Sequence, residues 1–213
     1  MMTLYDYELS GNCYKVRLLL SMLGIEYHRH SIEFYPAAEH RKPEFLAINP
    51  LGELPVLIDG ELTLRDSQAI LVYLATEYDT NGNWYPLVNP RTLADVTQWL
   101  CFANALTASA SAARLVDGFF YQLDGDACRA DAHRLFRILD EHLWFQERGR
   151  QDWIVSGSSP TIADIACFPY IILSEEGGIS RMDYPAIRRW TDRFKRNPGF
   201  TVMPGVFPAG PGV

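Results

Sequence analysis

The stretch INPLGELPVLIDGELTLRDSQAILVYL, Ile48 to Leu74, constrains the fold of this chain more than any other. Within it, Leu54-Pro55 leads directly into the apolar run Val56-Leu57-Ile58. Proline lacks an amide donor and is a poor strand residue, so its place at the head of a strand asks for a reason. Asp59-Gly60 then breaks the run as a hairpin dipeptide, and Leu62-Thr63-Leu64 resumes it. Asp66-Ser67 opens a helix in which Ile70, Leu71, Tyr73 and Leu74 recur at helical spacing. A proline entering a strand can leave the preceding peptide free to pair with an extended ligand. The nearby helix N-terminus carries unpaired amides and a partial positive charge that favour a carboxylate. The segment therefore reads as a site for a small peptide, held at Leu54 and gripped at Ser67. The plain alternative is a hairpin followed by a capped helix.

The residues before this stretch supply a β-α-β unit. Thr3 to Tyr7 reads as a strand, Tyr14 to Leu23 as a helix stopped by Gly24, and Tyr27 to Ile32 as a second strand. With a polar connection at 36–43 and a helical turn at 44–47, the order β-α-β-β-β-α is that of thioredoxin-like folds. From Asp79 to Pro90 the chain is rich in Asn, Gly and Pro and reads as a linker. Beyond it the segments are helical. Leu93, Val96, Leu100 and Ala103 share a face, and ANALTASASAA at 103–113 is built of small residues that let another helix approach closely or leave room for a ligand, a bundle helix being the plainer reading. A long helix is expected from Ala127 to Arg148 with Leu135, Ile138, Leu139, Leu143 and Trp144 inward. Thr161 and Asp164 have capping-box spacing ahead of a buried helix that Pro169 should bend. A basic amphipathic helix follows at Tyr184–Arg196, and the Pro/Gly-rich tail from Pro204 reads as irregular. The expected fold class is an α/β thioredoxin-like domain at 1–80, a linker at 81–90 and an all-α bundle at 91–213.

Charge and cysteine usage narrow the function. The net charge of −7 argues against a nucleic-acid or anionic-membrane surface. Residues 1–80 hold six Lys/Arg against twelve Asp/Glu, and the rest hold thirteen against fourteen. An anionic ligand at the first segment must thus be held by local groups rather than by overall field. Cys13, Cys101, Cys128 and Cys167 have no paired short spacing, which argues against zinc and against a disulfide framework. With neither signal pattern nor membrane-length apolar run, a cytoplasmic protein is expected.

The loop Leu9-Ser10-Gly11-Asn12-Cys13 follows the first strand, where dithiol enzymes carry C-x-x-C at a helix N-terminus. Here Ser10 replaces the first cysteine. A hydroxyl cannot exchange disulfides, but it can donate to a thiolate brought by a substrate. A thiol of pKa ~8.5 is a few per cent ionised at neutral pH, and lowering it by about two units needs ~2.7 kcal/mol. A hydrogen bond to a charged group offers roughly 1.5–3 kcal/mol and the helix end up to about 2 more. No metal is needed. Cys13 is a rival nucleophile or a core residue, and Tyr5 and Tyr7 are rival hydroxyls. Lys15 and Arg17 read as capping and solvating the first helix.

Together LSGNCYKVRLLLSMLGIEY, PEFLAINPLGELPVLIDG, LRDSQAILVYLA and PTIADIACFPYI make the chain resemble a cytosolic glutathione transferase, of the Ser/Asn type of theta-like and bacterial nu-like classes. The resemblance covers nearly the whole chain. It implies a thioredoxin-like domain that binds glutathione as co-substrate, with no bound cofactor, and a helical domain lining a pocket for a small hydrophobic electrophile. It also implies a homodimer. Residue by residue, it implies Ser10 with Asn12 at the thiol and Leu54 before a cis Pro55 on the cysteinyl backbone. It puts Asp66 on the γ-glutamyl ammonium and Ser67 on its carboxylate. The glycyl carboxylate falls to His40, Arg41 or Lys42, with Lys42 preferred. Trp99, Phe102 and Leu106 form a plausible electrophile face, although a bundle core explains them equally. The implied activity is conjugation of the glutathione thiolate to electrophiles. Glutathione-dependent disulfide reduction is a second reading, and a non-catalytic binding or assembly module a third.

Overall fold

The computed structural model describes residues 1–119 and 121–209, leaving aside the side chains of Asp117 and Phe119. The tail beyond Ala209 lies outside the described residues. The N-terminal sheet has the order β2-β1-β3-β4. Strand β1 (Thr3–Asp6) pairs parallel with β2 (His28–Ser31) and antiparallel with β3 (Val56–Asp59), which pairs antiparallel with β4 (Leu62–Arg65). The β3–β4 turn is made by Gly60 and Glu61, with Gly60 at φ 59° where a side chain would be strained. Alternation buries Leu4 and Leu57 beneath helix α1 (Gly11–Leu23) and helix α3 (Ser67–Glu77). The short α2 (Pro43–Leu46) covers the other face, where Ile32, Phe45 and Val56 form a small separate cluster.

The helical domain comprises α4 (Pro90–Leu106), α5 (Ala112–Phe119), α6 (Gly125–Arg148), α7 (Ile162–Ile172) and α8 (Pro185–Phe194). Helix α7 is the joint of the molecule. Every residue in it is buried, and it packs on α1 and α3 of the first domain and on α4 of the second. Burying each of its large apolar side chains contributes roughly 1.5–3 kcal/mol, so the two domains share one core. Its start is fixed by the Thr161/Asp164 capping box. The fully buried Asp164 carboxylate also accepts from Ile154 N (3.1 Å) and Trp190 Nε1 (2.8 Å). Pro169 lies inside α7 without ending it.

Three expectations need correcting. In α6, Leu135, Leu139 and Leu143 are buried, but Ile138 and Trp144 are exposed, because they flank the stripe rather than lie on it. Arg17 does not merely solvate α1. Its guanidinium pairs with the buried Asp6 carboxylate, which Arg29 also meets, and reaches the Glu8 carbonyl at 3.0 Å. Lys15 is wholly buried against α7. Burial lowers its ammonium from the ordinary 10.5 to about 8.

Candidate functional site

A cleft of about 520 Å³ opens where the two domains meet. Its first wall is the β1–α1 loop. Ser10 caps α1: its Oγ accepts from Cys13 N at 3.2 Å, while its own N–H donates to the Tyr7 carbonyl at 3.0 Å. With that oxygen occupied as an acceptor, the Ser10 proton remains to be donated into the cleft, which Ser10 lines. Asn12 lines it too, and its Oδ1 is buried without a hydrogen-bond partner. Cys13 does not line the cleft. Its thiol is fully buried, accepts from Tyr7 N at 3.4 Å, and burial pushes it up to about 12, which disfavours a thiolate there.

The second wall is the turn at 49–54. Asn49 is buried and holds it, donating from Nδ2 to the Glu53 carbonyl (2.8 Å) and accepting from Leu51 N (3.1 Å). Gly52 has φ 62°, and a Cβ there would meet the His40 carbonyl at 3.0 Å. Leu54-Pro55 is cis, as the resemblance implies, and Leu54 lines the cleft. Among the described residues no hydrogen bond engages the Leu54 backbone. The third wall is the start of α3. Asp66 takes φ 74°, a sparsely populated region for a non-glycine residue. There its carboxylate caps the helix by accepting from Gln68 N (2.9 Å) and Ala69 N (3.0 Å).

Some candidates fall elsewhere. The Ser67 hydroxyl is buried and donates to the Gln68 side chain, and it is Gln68 that lines the cleft and donates onward to Asn104 of α4. His40 lines the cleft, buried and stacked on Phe34 at 3.9 Å. Its imidazole is held below the usual histidine value by burial and by neighbouring Arg41. Arg41 lines the cleft as a cation. Lys42 turns away to pair with Glu39 at 3.5 Å beside Phe45, on the far side of the connection. Of the rival tyrosines, Tyr7 lines the cleft, stacked on Phe34 at 5.3 Å, and Tyr5 packs against His30 and Phe45 instead. Burial raises the Tyr7 phenol above its ordinary value, opposed by Arg114.

The helical wall differs from expectation. Trp99 and Leu106 are buried in the bundle, Phe102 packs edge-on against Trp99, and none of the three lines the cleft. The lining comes from the next stripe of the same chain: Asn104, Thr107, Ala108, Ser111 and Arg114. Between α4 and α5 the backbone passes through a π-helical turn, Thr107–Ser111, a distortion that often marks functional sites. The small residues at 103–113 thus do two jobs. Ala103, Ala110 and Ala113 pack inward while Thr107, Ala108 and Ser111 leave room beside the cleft. Arg114 donates from Nη1 to the Leu9 carbonyl at 2.8 Å and pairs with Glu176, tying this wall to the Ser10 loop.

The chain matches the family models "Glutathione S-transferase, N-terminal domain" over residues 4–82 and "Glutathione S-transferase, C-terminal domain" over 109–193. It is a glutathione S-transferase family member. The family's range is visible in its relatives. Glutathione S-transferase-like protein tpcF of Aspergillus fumigatus is 29% identical over 210 residues, covering 92% of each chain. The crystal structure of a glutathione S-transferase from Xanthobacter autotrophicus superposes with a TM-score of 0.83 at 28% identity, over 96% of this chain and 98% of the other. Ure2p in complex with glutathione superposes with the same TM-score, 0.83, at 26% identity, over 93% and 95%. The Saccharomyces cerevisiae protein URE2, named a transcriptional regulator, is 28% identical over 92% of this chain and 65% of its own length. Membership therefore establishes the fold and the family, whose relatives include proteins named as transferases and one named a transcriptional regulator. Among the described residues no cluster of His, Cys, Asp and Glu could hold a metal, and no helix is long and apolar enough to cross a membrane.

Proposed function

We propose that this chain binds glutathione in the cleft and conjugates its thiolate to small electrophiles. The observation that carries the reading is the Ser10 hydroxyl, whose oxygen is held by Cys13 N–H so that its proton is available to a sulfur at the α1 N-terminus. Leu54 offers its unpaired backbone to the cysteinyl residue. Asp66 meets the γ-glutamyl ammonium, and the amide end of α3 at Ser67 meets the carboxylate. Arg41, rather than Lys42, takes the glycyl carboxylate, with His40 beside it. Sulfur and electrophile held side by side gain from proximity as well as from thiol ionisation. Residues 1–80 form the glutathione unit and 91–213 the unit that presents the electrophile. We also assign a cytoplasmic homodimer, for which sedimentation should give about twice the 24.2 kDa of one chain.

One observation favours glutathione-dependent disulfide reduction as a second reading. The helical wall is polar, with Asn104, Thr107, Ser111 and Arg114, and so suits a peptide disulfide better than an aromatic hydrocarbon. Calorimetric binding of glutathione, chloronitrobenzene conjugation and mixed-disulfide reduction separate the readings. Conjugation that falls in Ser10→Ala and survives Cys13→Ala supports the first. Reduction without conjugation supports the second, and binding without either leaves a non-catalytic module.

A further inference from the structure

Tyr170 belongs to α7 in the helical domain, yet its hydroxyl sits at the N-terminus of α1, accepting from Asn12 N at 3.1 Å. The next amide along, Cys13 N, is the one held by Ser10 Oγ. Two hydroxyls from different domains therefore stand on neighbouring peptides of one helix end, and both residues line the same cleft. The packing around the phenol is specific. Its ring fills the space left by Gly11, where a Cβ would lie 2.6 Å from Tyr170 Cε1. The Lys15 ammonium, buried without a hydrogen-bond partner, lies 5.2 Å from the ring centroid. A cation over the ring draws electron density from the phenol and makes its O–H a stronger donor. The phenol oxygen accepts from Asn12 N–H, which leaves its own proton to be donated to a ligand.

We propose that Tyr170 is a second catalytic hydroxyl, donating a hydrogen bond to the glutathione sulfur alongside Ser10, with Lys15 as the positioning residue that polarises it. The inference rests on the glutathione reading above. In the reaction the thiol gives its proton to water, sulfur bonds to the electrophilic carbon, and the leaving group departs with its bonding pair. Tyr170 and Ser10 keep their protons throughout and act only as donors.

Tyr170→Phe keeps the ring against Gly11 and Lys15 and removes only the oxygen, so it separates donation from packing. The test is the pH profile of kcat/KM for glutathione and chloronitrobenzene, beside calorimetric glutathione binding. Tyr170→Phe should move the acidic limb of the profile up by about one pH unit, and so cost about tenfold in rate below it, with Kd for glutathione within about threefold. Lys15→Met, with Tyr170 intact, should move the limb in the same direction by less, and stands as the test should Tyr170→Phe not fold. An unchanged profile in an active protein overturns the proposal alone. A limb shifted downward overturns it too, because it shows that the phenol merely occupies an amide the thiolate would otherwise use. A wild type that binds no glutathione, or binds it without turnover, overturns the proposal together with the transferase reading, and the calorimetry distinguishes these cases.

Discussion

The two walls of the cleft are built differently. On the N-terminal side the parts are local: a serine capping the helix it precedes, a cis proline at the head of its own strand, and an aspartate capping the next helix. Each is fixed by residues within a few positions and presents backbone or a short side chain. On the helical side Asn104, Thr107, Ser111, Arg114 and Tyr170 come from α4, a π-helical turn, α5 and α7. They are held by bonds that cross the domains, from Gln68 to Asn104, Arg114 to Leu9, and Asn12 to Tyr170. A wall of the first kind suits one constant ligand. The second kind can change its lining without losing its fold, and in this chain that lining includes Asn104, Thr107, Ser111 and Arg114.

The largest effect expected from disturbing the seam between the walls is at Lys15. Burial lowers its ammonium from 10.5 to about 8, so the folded protein gives up this proton more readily than the unfolded chain. The cost of burial is fully present below about pH 8 and is relieved as the pH rises toward the unfolded value. A displacement of that size is worth about 3 kcal/mol. Lys15→Met should therefore be more stable than wild type at pH 7 by up to about 3 kcal/mol, with the gap closing by pH 10 in denaturant titrations. A gap that stays constant across that range would show that the amine is not carrying a buried charge.

Next comes Gly11→Ala, which drives a methyl into the Tyr170 ring. It should cost about 1–3 kcal/mol of stability, and Tyr170→Ala in the same chain should recover part of the overpacking. No recovery in a double-mutant cycle would mean that the walls do not meet at that contact. Within the N-terminal wall, Arg41→Ala should weaken glutathione binding about tenfold by calorimetry, as expected for one charge-assisted contact. Lys42→Ala should leave binding unchanged and stability within about 0.5 kcal/mol, because its ion pair with Glu39 is an exposed one. The reverse ranking would return the glycyl contact to Lys42.

The contrast between the walls also explains what could be read from the chain. Ser10, Leu54-Pro55 and Asp66 were legible because caps, turns and X-Pro steps are specified by neighbours in sequence. Arg41 and Lys42 are consecutive on a short 3-10 turn and its exit, where no periodicity sets which side chain meets the cleft. Ser67 does sit at the helix end the sequence points to, but its hydroxyl turns inward and the adjacent Gln68 takes its place at the surface of the cleft. In α4, Trp99 and Leu106 carry the hydrophobic signal and accordingly lie in the core. The cleft receives the stripe beside it, whose polar residues give no signal at all, and the π turn shifts the phase of α5 relative to α4. Tyr170 sits in a run that is apolar all round, so nothing in the pattern separates a phenol facing a site from one in the core. Gly11 was the available clue, since a glycine in the first turn of a helix asks what fills the space of its missing side chain.

The most direct test of Ser10 as the donor to the thiol is an ultraviolet titration of enzyme-bound glutathione, following thiolate absorbance against pH in wild type and Ser10→Ala. The bound thiol should ionise at least about one unit below the ordinary ~8.5, and Ser10→Ala should return most of that difference. A bound thiol that titrates like the free one, or a low value that survives the loss of Ser10, would contradict the account.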